Sequence, residues 1–252
     1  MAWTKRFAVA IALRKGKGDY VVVVVNLETK EVLDILPSRA KADLLAYFKA
    51  KGDAFCLQIA VFCSDMWEAY IETAKELFTN ATIVVDRFHY FSYLQEVIDK
   101  LRKRYRKDQP KDELLKKTKW LLLKNPQNLT KKEKETLAHL LRLEEFKELK
   151  QVYDLKNEFR NILEQKIDRV KAQQLIEKWI ENAKKMKLDL MDNFIAFYQR
   201  WQDYILNYFT YRTSSSIIEG INNKIKLIKR RGFGFASFNN FKSVVMIEFL
   251  KS

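Results

Sequence analysis

The chain has 252 residues and a formal net charge of +15. Hydrophobic residues make up 48% and aromatics 13%, which excludes a disordered chain and supplies a core for one large domain or two small ones. The cationic excess points to a polyanionic partner, and the strand-sized apolar run Val21–Val25 sets a membrane span aside.

The opening "MAWTKRFAVAIALRKGKGDY" lacks a small-residue cleavage signature and reads as a strand, so a cytoplasmic chain is expected. Strands are predicted over 6–13, 20–27 and 29–36, separated by "RKGKGD" and a short link, as an antiparallel meander. A helix over 39–51 ends at Gly52; strand 55–64, helix 66–78 and strand 81–86 follow. A meander followed by β-α-β makes a mixed sheet in which the last two strands run parallel. Their carboxyl ends share one edge, where ligands of open α/β sheets gather, and Asp65 and Asp86 sit at those ends.

From 87 to 211 the pattern is almost entirely helical, with breaks at Pro110 and Pro126. Residues 100–119 hold ten Lys/Arg against three acids. Thr130 and Glu133 have capping-box spacing, and amphipathic helices are predicted over 146–166, 172–185 and 191–209. The two cysteines, Cys56 and Cys63, and two histidines, His89 and His139, cannot build a zinc finger, so no zinc is expected. The thiols read as reduced core residues on a strand, and neither a Ser-His-Asp nor a Cys-His nucleophile has support.

The segment "RTSSSIIEGINNKIKLIKRRGFGF" (212–235) carries a single acid, Glu219. Ser216 and Glu219 form S-x-x-E, so Glu219 reads either as a capping residue or as a metal ligand heading a polar stripe. Ile218, Ile221, Ile225 and Ile228 repeat as a buried stripe. Glu219, Asn223, Lys226 and Arg230 fall on another face. Residues 221–231 hold five cations, Lys224, Lys226, Lys229, Arg230 and Arg231, and no acid. Phe233 and Phe235 suit core packing or stacking.

"SSIIEGINNKIKLIKRRGFGFASFNNF" resembles the C-terminal signature of bacterial insertion-sequence transposases of the ISL-three group, with Phe233 in a Tyr place. "SDMWEAY", "NATIVVDRFHY", "KTKWLLLKNPQNLT" and "LPSR" resemble further segments of that family, so the likeness runs over residues 6–250 in order. It implies a ribonuclease-H-like fold: a mixed five-stranded sheet flanked by helices, with a large all-α insertion before the final catalytic helix. The implied domains are 1–95, a helical insertion 96–211, and 212–252 with the Glu219 helix.

The resemblance further implies an Asp-Asp-Glu site holding two magnesium or manganese ions for phosphodiester cleavage and DNA strand transfer. By position Asp65 matches the second aspartate and Glu219 the glutamate, both as catalytic residues and metal ligands. Asp86, a candidate auxiliary acid, opens the D-R-F-H element with Arg87, Phe88 and His89. Val9 stands where the first aspartate belongs and Ala10 where an acid follows it, while Asn26 replaces another acid. The implied activity is therefore that of a degenerate or inactive transposase catalytic domain. The alternative is a non-catalytic DNA-binding or interaction protein derived from one. DNA contacts are expected from Arg87, His89, Arg212, Asn223, Lys224, Lys226, Lys229, Arg230 and Arg231, chiefly to phosphates. The family carries an N-terminal zinc-binding and helix-turn-helix region, whereas this chain begins at the catalytic domain. The resemblance also implies a homodimer on transposon ends.

Overall fold

Five consecutive valines, Val21–Val25, are each no more than 2% exposed. A strand sends successive side chains to opposite faces, so a run buried at every position requires cover on both sides of its sheet. That cover organises the first part of the computed structural model, which describes residues 5–15, 19–108, 113–212, 215–232 and 234–250. The centre of the "RKGKGD" turn, Pro110 and Phe233 lie outside the described residues.

In chain order the elements are β1 (Lys5–Lys15), β2 (Asp19–Asn26), β3 (Val32–Leu36), α1 (Lys41–Ala50), α2 (Asp53–Leu57), β4 (Ile59–Ser64), α3 (Glu68–Leu77) and β5 (Thr82–Val85). The helices α4 (Arg87–Asp108), α5 (Glu113–Lys117), α6 (Lys119–Leu123), α7 (Lys131–Arg142), α8 (Lys147–Glu164), α9 (Arg169–Lys184) and α10 (Asp189–Tyr211) follow. The chain closes with α11 (Ser215–Arg231) and α12 (Phe238–Leu250). No helix among the described residues is long and apolar enough to cross a membrane.

The chain divides into two units, Met1–Arg87 with Asp203–Ser252, and Phe88–Gln202. The first holds a five-stranded sheet of order β3-β2-β1-β4-β5. β2 is antiparallel to β1 and β3, and β4 is parallel to both β1 and β5. On one face Val21, Val23, Val25, Val32, Ile35 and Cys63 pack with Ile218, Ile221, Ile225 and Ile228 of α11 and with Phe241 and Val245 of α12. Phe62 of β4 is directed the other way, where Phe78 meets both it and Phe48 of α1 at ring separations of 5.2 and 4.8 Å. The last turns of α10 cover β5, an edge that would otherwise offer unpaired backbone. There the Asn207 amide donates to the Ile83 carbonyl at 2.8 Å, and the Tyr211 and Thr82 hydroxyls pair at 3.0 Å.

The strand expected over 55–64 starts later. Gly52, at φ 87, turns the chain after α1, and its carbonyl accepts from the Phe55 and Cys56 amides to begin α2. The backbone is thus satisfied locally and β4 is shortened to Ile59–Ser64. Cys56 therefore sits on a helical turn and Cys63 on the strand; both are buried, and neither is in a disulfide.

In the helical unit Phe159 packs edge-on or tilted against Tyr90, Trp179, Phe194 and Tyr198. The Trp179 indole donates to the Leu155 carbonyl at 2.9 Å, so the largest core side chain has its one polar group satisfied. The Thr130–Glu133 capping box forms with both of its hydrogen bonds. Lys156 is 0% exposed. Its ammonium donates to the Leu122 carbonyl and lies 4.6 Å from the Tyr153 ring centroid.

Burial, with Arg160 adding repulsion, pulls the Lys156 pKa down to about 7. Between about 7 and the ordinary 10.5 the unfolded chain binds the extra proton, so this group makes stability rise with pH over that window. Lys156→Met should raise stability by about 1–3 kcal/mol at pH 6, through removal of a buried charge, with the gain shrinking towards pH 10. Thermal melts at the two pH values check it. Thr130→Ala should lower stability by about 1 kcal/mol through loss of the cap, measurable by urea titration.

Candidate metal and nucleic-acid site

Parallel pairing brings the ends of β4 and β5 together. Ser64 stands opposite Val85, and the Asp86 amide donates to the Ser64 carbonyl at 2.9 Å. Asp65 and Asp86 are therefore the first residues beyond two adjacent strand ends. Asp86 is 6% exposed and Asp65 half-buried. Arg87 then begins α4, and His89 follows on its first turn. Asp65, Asp86 and His89 each offer a ligand atom, and the three atoms lie within 4.8 Å of one another. Two carboxylates and an imidazole at that spacing fit one divalent cation, the carboxylates favouring hard ions and the imidazole extending the choice beyond magnesium.

The acidic set anticipated from sequence is not the set gathered here. Glu219 lies on α11, exposed, and does not belong to the three-ligand group found among the described residues. Nor does it complete a capping box. Ser216 lies within α11, which starts at Ser215, whereas a box needs its Ser at the non-helical N-cap. Val9 is in register with Ser64 on one side and Val24 on the other, and Ala10 with Val23. The row Val24–Val9–Ser64–Val85 thus crosses the sheet immediately before the two aspartates. Positions 9 and 10 thus carry no acid in the strand that runs beside β4.

The cations separate into tied and presented groups. The Lys224 ammonium donates to the Glu248 carbonyl at 2.8 Å and lies 4.3 Å from the Phe249 ring centroid, which holds it to α12. Arg87 donates to the Tyr208 hydroxyl at 3.0 Å. Arg212, in the left-handed region at φ 46, rests over the Tyr208 and Phe209 rings. Lys226, Arg230 and Arg231 are exposed, as is Asn223, and Lys229 is half-buried. One face of α11 packs on the sheet through four isoleucines, and the other offers Glu219, Asn223, Lys226 and Arg230 to solvent. Asn222 was passed over in the sequence. It is 5% exposed, with its amide oxygen unpaired among the described residues; only its place beside the isoleucine stripe hinted at burial.

The sequence model of the DDE-type ISL3 family, described as Transposase, matches residues 10–245. The match begins one residue after Val9. The transposase for insertion sequence element IS1001 of Bordetella parapertussis is 32% identical over 229 residues, covering 89% of this chain and 55% of that protein. The transposase for insertion sequence element IS1557 of Mycobacterium tuberculosis (strain CDC 1551 / Oshkosh) is 26% identical over 243 residues, covering 86% of this chain and 54% of that protein. The chain thus spans about half the length of these relatives.

If the Asp65–Asp86–His89 group binds a cation, manganese should raise the melting temperature with the logarithm of the ligand excess. Asp65→Asn and Asp86→Asn should each abolish that rise. In EDTA Asp86→Asn should melt at or above the parent, because one of two neighbouring carboxylates has lost its charge. Scanning calorimetry with and without manganese checks both outcomes.

Proposed function

The chain belongs to the ISL3-type insertion-sequence transposase family, and from that premise we propose that it is the catalytic-domain portion of a DNA transposase. In this proposal the sheet unit is a ribonuclease-H-like domain, and the helical unit is an insertion between β5 and α11. The observation that carries the reading is the meeting of Asp65 and Asp86 at adjacent parallel strand ends beside His89. A sheet edge of that kind is where α/β folds place ligands. The +15 charge and the cationic face of α11 supply an attraction for a polyanion.

Each residue then has a definite task. Asp65 and Asp86 would hold a divalent ion, magnesium or manganese, with His89 as the third donor; Glu219 is assigned as the family's third acid. When bound there, such an ion polarises a phosphodiester oxygen and lowers the pKa of water or a 3′-hydroxyl. Lys226, Lys229, Arg230 and Arg231, with Asn223, attract and register the DNA backbone, as Arg87 and Arg212 do from their aromatic supports. These contacts fix position on the duplex without reading bases, so binding is steeply salt-dependent and weakly sequence-selective. We further propose that two copies act on paired DNA ends in the cytoplasm.

Val9 favours a second reading, in which the chain binds DNA without cutting it. Three carboxylates around a two-ion site would neutralise more charge than two carboxylates and a neutral imidazole, so an aliphatic residue in the first strand weakens occupancy by a second ion.

Cleavage assays on nicked and intact duplexes separate the two readings. The parent chain should show nicking at the limit of detection. Val9→Asp should gain manganese-dependent nicking that Asp65→Asn abolishes; a gain that survives Asp65→Asn would exclude this site. Replacing Lys226, Arg230 and Arg231 with Ala should weaken duplex binding at least about ten-fold. The same change should reduce the slope of log affinity against log salt by about two to three. Unchanged affinity and slope would remove α11 from the DNA track.

A further inference from the structure

The segment "KTKWLLLKNPQNLT" (117–130) has no task in the metal site or on α11, yet it presents an aromatic ring to solvent. Trp120 on α6 is 69% exposed, although burial of an indole is among the larger gains open to any side chain. Helical phase sends it outward. The Thr118 amide donates to the Leu114 carbonyl at 3.1 Å and the Leu122 amide to the Thr118 carbonyl at 3.0 Å, so helical pairing continues from α5 into α6. Leu115, Thr118, Leu121 and Leu122 form the buried side of these turns. Trp120 falls on the other side, three and four residues after the exposed Lys117 and Lys116.

A second, independent observation is how firmly this segment is held. From α4 the Arg102 guanidinium donates to the Leu115 carbonyl at 3.1 Å and the Gln95 amide to the Leu123 carbonyl at 3.1 Å. The Thr118 hydroxyl donates to the Leu114 carbonyl at 2.8 Å, and from α8 the Lys156 ammonium donates to the Leu122 carbonyl. Arg102 and Lys156 are 3% and 0% exposed, and burying a cation is costly. Two buried cations therefore serve the backbone on either side of Trp120, so the ring stands on a fixed support rather than on a loose loop. Charge adds a third. Residues 113–124 hold four lysines and one acid, Glu113. Lys116 and Lys117 share that carboxylate at 3.6 and 3.7 Å, with all three side chains at least 60% exposed, so neither lysine is firmly neutralised. The Lys119 ammonium lies 4.7 Å from the Trp120 ring centroid. One ammonium covers at most one face of an indole, and the exposure of the ring leaves the remainder to solvent.

We propose that Trp120 is a stacking platform for an unpaired base of single-stranded DNA, with Lys116, Lys117 and Lys119 holding the phosphates on either side of it. An indole offers a flat π-face to any base, and the lysines around it match the charge of the strand. The base has to be unpaired, because inside a duplex both of its faces are covered by its neighbours. A polypeptide that buried the ring would need carboxylates of its own to match those lysines, whereas a DNA strand brings one phosphate with every base. The platform rests on the transposase reading only for where the single strand arises.

A short oligothymidylate, an abasic strand of equal length and a duplex of generic sequence are the probes, with fluorescence anisotropy as readout. Trp120→Ala should weaken oligothymidylate binding about ten-fold and leave the abasic strand and the duplex unchanged. Trp120→Phe should keep most of the affinity, whereas Trp120→Leu, apolar but without a π-face, should bind like Trp120→Ala. Changing Lys116, Lys117 and Lys119 to Ala together should weaken oligothymidylate and abasic strand alike and lower the salt slope. Trp120→Ala should melt with the parent, because the ring is exposed. Equal oligothymidylate affinity in parent and Trp120→Ala would overturn the platform, as would parental affinity in Trp120→Leu. A marked fall in the melting temperature of Trp120→Ala would make the ring structural and overturn it too. If the parent binds oligothymidylate through Trp120 but binds no duplex, the transposase reading fails and the platform stands. If the parent binds duplex while Trp120→Ala holds oligothymidylate as the parent does, the platform fails and that reading stands.

Discussion

The hydrogen bond from the Asp86 amide to the Ser64 carbonyl is the constraint on which the site depends. It carries the β4–β5 ladder one step past the last paired residues, so the two strands release their chains side by side. Each chain then turns into a helix, α3 or α4, and the first residue past each strand is an aspartate. The carboxylates are therefore fixed by backbone pairing rather than by side-chain packing alone. Pairing sets where their backbones stand, and a fixed backbone is what a metal centre needs from its scaffold. The cost is the approach of two like charges at one edge, offset when a cation binds.

The second organising feature is the division of labour on α11. Its four isoleucines bury against the valines of β2, and burial of such a stripe contributes about 1.5–3 kcal/mol for each large aliphatic side chain. That anchorage fixes the rotation of the helix, so its remaining residues have no choice of direction. Lys226 and Arg230 face solvent because Ile225 and Ile228 face the sheet. Lys224 falls between the two faces, and its ammonium turns to α12 instead. A cation count in the sequence treats these residues alike, whereas helical phase sorts them into solvent-facing and structural groups.

Much of this was legible from the chain. β-branched runs and the β-α-β pattern gave the strands, their parallel ending and the aspartates at one edge, because each depends on local periodicity. Helix α2 was missed because "FCL" has the composition of a strand; Gly52 and its carbonyl decide otherwise, a local hydrogen-bond choice that propensity does not contain. The capping interpretation of Glu219 failed because S-x-x-E spacing does not reveal where a helix starts. His89 was assigned to DNA from its motif. Its proximity to both aspartates is a product of three-dimensional pairing plus one helical turn, which spacing along one strand cannot show.

The row Val24–Val9–Ser64–Val85 gives the argument about activity its physical form. A carboxylate in the first strand would bring a third negative charge to an edge that already carries Asp65 and Asp86. Without a cation, that charge raises the electrostatic free energy of the folded state. With two divalent ions it is what lets both remain bound. An aliphatic residue reverses the balance, favouring the metal-free fold at the expense of the second ion. On the proposed reading, binding of a DNA backbone loses much less by the same change, because the exposed cations of α11 do not require the metal. On the proposed reading Val9 therefore separates recognition from chemistry: the cationic face of α11 does not depend on the first strand, whereas a second ion would.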